Sequence, residues 1–351
     1  MDEKIALFCR EFKENFGFDS RFMIFEAKVI SQKRTQYVEV ITTEGHFCAV
    51  MKKFYKLYFD NVPVLKMKIK VLPYQELSRK FGIGNAGVSP LYKSASNRSE
   101  QVSQIIIGEL FDVLEISPDE EWYRIRLHID GYIGWVNRNP VKLLTQKEVK
   151  SYQKSNKVEI TKKFVDIHSE PDKKSAVLRG VFLGAELPVT NKKKDWIEVR
   201  LPDSVKGWMN SKSCREVDTR AERSKDILKY AEMLYGVPYV WGGRSPFGID
   251  CSAMMQLVYK MCGYRIPRDS NMQAALGIEL GKNFNDYKMG DLLFFGNEDG
   301  KVTHVAIYTG KDMDFIHASG FVKTNSLNKK SGRFDERLGN MFFGARRIIN
   351  I

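Results

Sequence analysis

Two stretches of this chain are diverged copies of one another, and a repeat of that length constrains the fold more than any other feature. One runs "LYKSASNRSEQVSQIIIGELFDVLEISPDEEWYRIRLHIDGYIGWV", the other "VDIHSEPDKKSAVLRGVFLGAELPVTNKKKDWIEVRLPDSVKGWM". Each has a Ser-rich turn, an apolar strand ending in Gly108 or Gly184, a charged loop, a strand led by Trp122 or Trp196, and a closing Gly-Trp at Trp135 or Trp208. Short strands at regular spacing with turns between them predict small β-barrels. They are placed over 81–147 and 156–216, with the tryptophans as core and the helical link "LLTQKEVKSYQKSNK" between them.

What flanks the repeat reads differently. Residues 1–80 open with an amphipathic helix whose apolar face is Ile5, Phe8, Cys9, Phe12 and Phe16. Strand-like runs follow, the clearest being "LKMKIKV", where apolar residues alternate with Lys66, Lys68 and Lys70. A small α/β domain of unreadable role is expected there. Residues 217–351 begin with the helix "RSKDILKYAEMLYG" and end in strands at "GDLLFF", "HVAIYTG", "DFIHASG" and "FFGARRII". Helices followed by a run of antiparallel strands predict an α+β domain. The chain is thus a multidomain protein.

Apolar content of 43% in 351 residues suits several folded domains. The formal charge of +13 is spread along the chain and accompanies no nucleic-acid motif, so no nucleic-acid partner is expected. No apolar run of about 18 residues exists, so no helical membrane span is expected. Five cysteines without paired spacing suggest free thiols in a reducing compartment. The start "MDEKIALFCREFKENFGF" lacks the layout of a signal peptide. A cytoplasmic protein is expected if Met1 is the native start, a secreted or cell-envelope one if a leader has been removed.

Within 217–351 the helix of "GIDCSAMMQLVYKMCG" carries Cys251 at its start and Cys262 at its end, about 16 Å apart along the axis. Unpaired N–H groups and the positive dipole end favour a thiolate at Cys251. Cys262 lies on the apolar stripe with Met255, Val258 and Met261, an ordinary core position. A thiolate needs a base. Of the five histidines, His46 lies in the first domain and His128 and His168 in the barrels, which leaves His304 and His317. "HVAIYTGKDMDFIH" predicts a hairpin, and a two-residue turn at Gly310-Lys311 sets 304 opposite 317 on one face. Two facing imidazoles suit a base and the group that orients it. Zinc on one Cys and two His would want a fourth ligand, and no metal or cofactor is expected.

"YGVPYVWGG", "GIDCSAMMQLVY", "IPRDS", "MGDLLFF" and "THVAIYTG" together resemble the NlpC family of cysteine peptidases, a compact papain-like fold that cleaves peptidoglycan stem peptides. The likeness covers about 225–350 in the family's order, and the two repeats resemble bacterial SH3-like domains. Their order resembles that of the γ-D-glutamyl-L-diamino acid endopeptidases of muropeptide recycling. The family usually has Gly two residues after the nucleophile, whereas this chain has Ala253. The resemblance makes Cys251 the nucleophile, His304 the base and His317 its polar partner. It puts Tyr239 beside the nucleophile, and Asp250, Ser252, Asp269 and Ser270 on the substrate pocket, although helix capping would also explain these four. It further implies that Glu100 and Tyr132 of the first barrel receive the free amine of an N-terminal L-Ala, or else they are plain barrel and surface residues. The activity implied is hydrolysis of the γ-D-glutamyl–diamino acid bond. A silent wall-peptide-binding module, or an amidase or acyltransferase on the same scaffold, are the alternatives.

Overall fold

The computed structural model describes residues 2–32, 35–59, 65–73, 79–217 and 224–349. The domain boundary near 217 borders 218–223, which lie outside the described residues. In the N-terminal unit, helices α1 (Asp2–Asn15) and α2 (Cys48–Phe59) cover a three-stranded sheet. Phe25–Gln32 runs antiparallel to Thr35–Thr42, which pairs in parallel with Leu65–Val71 across the α2 connection. Phe8 and Phe12 from α1 meet Phe25, Val38, Val40 and Met51 in its core. On Leu65–Val71, Lys66, Lys68 and Lys70 are exposed while Met67 and Ile69 are half-buried, as the alternation requires.

Each repeat forms a seven-stranded, tightly curved antiparallel sheet, from Phe81 to Leu144 and from Lys157 to Glu216. Helix α3 (Gln146–Lys154) joins them, started by a capping box in which Thr145 and Glu148 satisfy each other's backbone N–H groups. The repeat tryptophans divide: Trp122 and Trp208 are buried, while Trp135 and Trp196 are only half-buried.

The C-terminal unit is α+β. After α4 (Ile227–Met233) come α5 (Cys251–Met261), α6 (Ser270–Gln273) and a six-stranded antiparallel sheet. Its strand order is Ile278–Gly281, Phe342–Arg347, Leu292–Gly296, Val302–Tyr308, Asp314–Ser319 and Phe321–Ser326, with α7 (Glu336–Met341) on the chain before Phe342. Helix α5 is buried nearly all round, with Met254, Met255, Val258, Met261 and Cys262 fully inside the core that also holds Val305, Ile307 and Ile316. Cys262 is a packing residue.

Charged and polar contacts fasten both barrels to α5 and its surroundings. Arg244 makes a bidentate pair with Glu109 of the first barrel, both bonds 2.8 Å, and Gln256 donates to Asp130 at 3.2 Å. From the second barrel, Arg215 donates to the Met261 carbonyl and Gly184 accepts from Lys260, each at 2.6 Å. No helix among the described residues is long and apolar enough to cross a membrane.

Candidate active site

Asp250 starts α5. Its Oδ1 accepts the Ala253 N–H at 2.8 Å, the N-cap bond, and Oδ2 accepts the Gly242 N–H at 3.0 Å. Both oxygens also take the Arg268 guanidinium, at 3.0 and 2.6 Å. Arg268 goes on to the hydroxyls of Ser252 at 3.0 Å and of Ser103, in the first barrel, at 3.2 Å. Gly242 turns with φ +73°, and a Cβ there would stand 2.6 Å from the Gln101 carbonyl. The "PYVWGG" loop can therefore lie against the first barrel only because position 242 has no side chain. One carboxylate caps the start of the helix, anchors the loop and pairs with Arg268.

Cys251 follows at the first position of α5 and keeps 7% of its surface exposed. The backbone N–H groups of Val305 and Ser252 are directed at the sulfur, so the thiol lies against the strand position next to His304. The helix start was expected to lower the thiol pKa; here burial outweighs it. Burial and the Asp250 charge push the thiol up to about 12, against the downward pull of Val305, Arg268 and Ser252. Tyr239 is half-buried, with its phenol pushed up by burial and by the Cys251 charge.

The hairpin turn is longer than two residues. Gly310, Asp312 and Met313 all have positive φ, Asp314 N–H closes onto the Lys311 carbonyl, and the register pairs Ile307 with Ile316 and Tyr308 with Phe315. Carried down the ladder, that register sets position 304 opposite 319 rather than 317. A shift of two keeps both imidazoles on one face, because side chains alternate with period two. They meet diagonally, with His304 Nε2 to His317 Nδ1 at 2.8 Å.

The chain of bonds continues beyond the predicted residues. His317 Nε2 lies 3.2 Å from Asn325 Oδ1, and Asn325 Nδ2 donates to Asp335 Oδ2 at 3.2 Å. Asp335 also caps α7 through the Leu338 N–H. A carboxylate only accepts, so the Asn325 amide must turn its oxygen toward His317, whose Nε2 then carries a proton. Neutral His317 accepts at Nδ1, so His304 donates from Nε2 and is left with an unprotonated Nδ1. Asn325 sits on Phe321–Ser326, a strand missing from the sequence reading; the Ser319-Gly320 dipeptide, with Gly320 at φ +72°, was the available turn signal.

Burial pushes His304 down to about 3 and His317 to about 4, so both rings are neutral at neutral pH. Unfolded imidazoles bind protons near pH 6.5. Between that value and pH 4 unfolding takes up protons, so the stability present above pH 6.5 falls as the pH falls. The protein should therefore lose melting temperature from pH 7 to 4.5 relative to a His304→Gln/His317→Gln double variant. Parallel curves would show that the rings are not buried in the neutral form.

The remaining predicted residues divide between two places. Ser270 opens α6, and Asp269 precedes it as N-cap residue but makes no side-chain cap bond. Its carboxylate instead faces the Tyr132 hydroxyl at 3.5 Å and Arg21 of the N-terminal unit at 2.7 Å. Glu100 lies apart, accepting from the Trp241 indole at 3.0 Å and from Lys93 at 3.3 Å. Arg21 was invisible beforehand, since nothing in its local sequence points 248 residues along the chain. Among the described residues no group of three or more His, Cys, Asp or Glu could hold a metal ion. A cavity of about 350 Å³ at the meeting of the barrels, α3 and α5, lined by Tyr152, Lys157, Glu186 and Lys260, is separate from these residues.

A thiol at a helix start, held against a strand whose imidazole is oriented by a second polar group, is the layout of a papain-like thiol hydrolase. Residues 236–335 match the NlpC/P60 family, 91–139 the bacterial dipeptidyl-peptidase Sh3 domain and 163–213 the bacterial SH3 domain. A γ-D-glutamyl-L-lysine dipeptidyl-peptidase of Bacillus cereus is 30% identical over 274 residues, 72% of this chain and 77% of that protein. One of the same name from Bacillus subtilis is 30% identical over 59% of this chain and 69% of its own length. A crystal structure of an NlpC/P60 family protein from Bacillus cereus superposes with a TM-score of 0.66 at 23% identity, covering 77% of this chain and all (100%) of that one. The chain belongs to the NlpC/P60 family of cysteine peptidases.

Proposed function

We propose that this protein hydrolyses the amide between γ-D-glutamate and a diamino acid in peptidoglycan stem peptides, with Cys251 as nucleophile and His304 as base. The observation that carries the reading is the one-way chain of hydrogen bonds from Asp335 through Asn325 and His317, which leaves Nδ1 of His304 free to take a proton. That nitrogen removes the thiol proton as sulfur attacks the γ-carbonyl carbon. Converting a neutral thiol and imidazole into an ion pair is unfavourable in a buried site, so backbone N–H groups at the sulfur matter. The same helix-start donors, with the Tyr239 phenol, stabilise the tetrahedral oxyanion. Collapse expels the diamino acid, whose amine takes the proton back from His304. Water, deprotonated by His304, then attacks the thioester and frees both the carboxylate and Cys251.

Ser252 and Ser270 line the pocket, and the free α-amine of an N-terminal L-Ala is received by Asp269 and Tyr132, with Glu100 at the outer edge. The names of the Bacillus relatives support the bond chosen. Incubation with L-Ala-γ-D-Glu-L-Lys should give L-Ala-γ-D-Glu and lysine by mass spectrometry. Release of alanine, or products formed only when an amine acceptor is added, would overturn the assignment.

A further inference from the structure

We infer that the N-terminal unit is a wall of the substrate site, and that its Arg21 is a specificity-determining residue that holds the Asp269 carboxylate toward the substrate's amino terminus. This rests on the amine-binding part of the function proposed above.

The unit is held firmly where it matters. Ile24, Ile41 and Leu72 share a buried cluster with Leu114 and Ile133 of the first barrel. The Ile133 N–H donates to the Arg21 carbonyl at 2.8 Å, and Arg126 to the Phe22 carbonyl at 3.1 Å. Phe22 lies edge-on to Tyr132, centroids 5.7 Å apart. The backbone that presents Arg21 is thus fixed to the barrel that presents Tyr132.

The guanidinium is divided between two carboxylates. Asp19 takes Nε at 2.9 Å and Nη2 at 2.6 Å, which locks the plane of the fork. Nη1 is left to reach across to Asp269 Oδ2 at 2.7 Å and Asn271 Oδ1 at 2.9 Å. Lys could not do this, having one nitrogen at which to meet all three groups. Asp269 is thereby drawn away from capping α6 and toward Tyr132, and among the described residues its other oxygen, Oδ1, accepts no hydrogen bond.

The charges leave a place for a cation. Asp19 cancels Arg21, so Asp19, Arg21 and Asp269 together carry one net negative charge, and the neighbouring Arg268–Asp250 pair adds none. An ammonium is drawn to that negative charge, to which Asp130, accepting the Tyr132 N–H at 3.1 Å, adds. Arg21 and Asp269 side chains are 26% and 25% exposed, open enough for a ligand and sheltered enough for the charge to count.

A mere strut would weaken the fold, or all substrates alike. A positioning residue changes the choice between substrates. In the full chain, Arg21→Ala should lower kcat/KM for L-Ala-γ-D-Glu-L-Lys about tenfold through KM, while the N-acetylated peptide is unaffected. The Arg21→Lys variant, which keeps the charge without the fork, should show the same selective loss and serves if Arg21→Ala does not fold. Calorimetry with L-Ala-γ-D-Glu and its N-acetyl form, in the Cys251→Ala background, reads the effect without turnover. A chain that hydrolysed neither peptide would lose the hydrolase reading, yet this binding difference would still decide the role of Arg21. Equal losses for free and acetylated ligands, or none for either, would overturn it.

Discussion

Cys251→Ala should abolish hydrolysis of L-Ala-γ-D-Glu-L-Lys, a loss of at least about 10⁴-fold in kcat, and leave the fold intact. The two halves of that expectation have separate causes. Activity goes because no other thiol lies at the start of α5, and the proton acceptor prepared at His304 has nothing to activate. The fold stays because the helix start is set by Asp250, whose bonds to Ala253, Gly242 and Arg268 do not involve the sulfur. Alanine is also the best helix former to put in its place. Cys262→Ala, eleven residues along the same helix, is the control with the opposite outcome. Its side chain is fully buried, so truncation should cost about 1 kcal/mol of stability with kcat unchanged. Turnover by a well-folded Cys251→Ala protein would remove this thiol from the mechanism. A loss of turnover in Cys262→Ala without loss of stability would move attention to the wrong end of the helix.

The two cysteines stand at opposite ends of α5, one behind its N-cap and one fully inside the core, and that difference in place was legible in the sequence. An acidic N-cap residue before one and an apolar stripe through the other are local patterns, and local patterns survive into structure when packing agrees with them. The pairing of the histidines was legible less directly. Alternation along a strand fixes which face a residue takes, but the partner depends on turn length, and "TGKDMD" contains only one glycine to announce three positive φ angles. Met313 takes up that conformation without any compositional sign, and Asp312 offers only the weak one that Asp tolerates it better than most residues. The prediction of one shared face survived because the error in register was an even number.

Other parts of the site had no local signature at all. Asn325 and Asp335 are ordinary polar residues in a loop-like stretch, and their role exists only once the strand Phe321–Ser326 has paired with Asp314–Ser319. The state of the thiol is another case. Position at a helix start argues for a low pKa, but the sum depends on how much protein covers the sulfur, which no spacing in the chain reports. Arg21 is the extreme: its target belongs to a different unit, and the contact is set by how the first barrel holds both.

Arg268→Ala should be the most damaging single change to the fold around the site, lowering stability by about 3–5 kcal/mol. The Arg268 side chain is 1% exposed and its partner Asp250 8%, so neither charge can fall back on water. Truncation would leave the Asp250 carboxylate buried beside a neutral gap, with only the Gly242 and Ala253 N–H groups and the Ser252 hydroxyl to stabilise it. It would also release Ser103, and with it one of the ties between the first barrel and α5. Because Asp250 at once caps α5 and holds the Gly242 loop, Cys251 should be misplaced in whatever fraction stays folded. Thermal unfolding should therefore show a lower midpoint, and kcat should fall at temperatures where the variant is still fully folded. Arg268→Lys should fail to restore either quantity, since an ammonium cannot match two carboxylate oxygens and two hydroxyls at once. Wild-type stability in Arg268→Ala would mean that the pair with Arg268 does not hold the start of α5, and the account of how α5 begins would then have to be rebuilt without it.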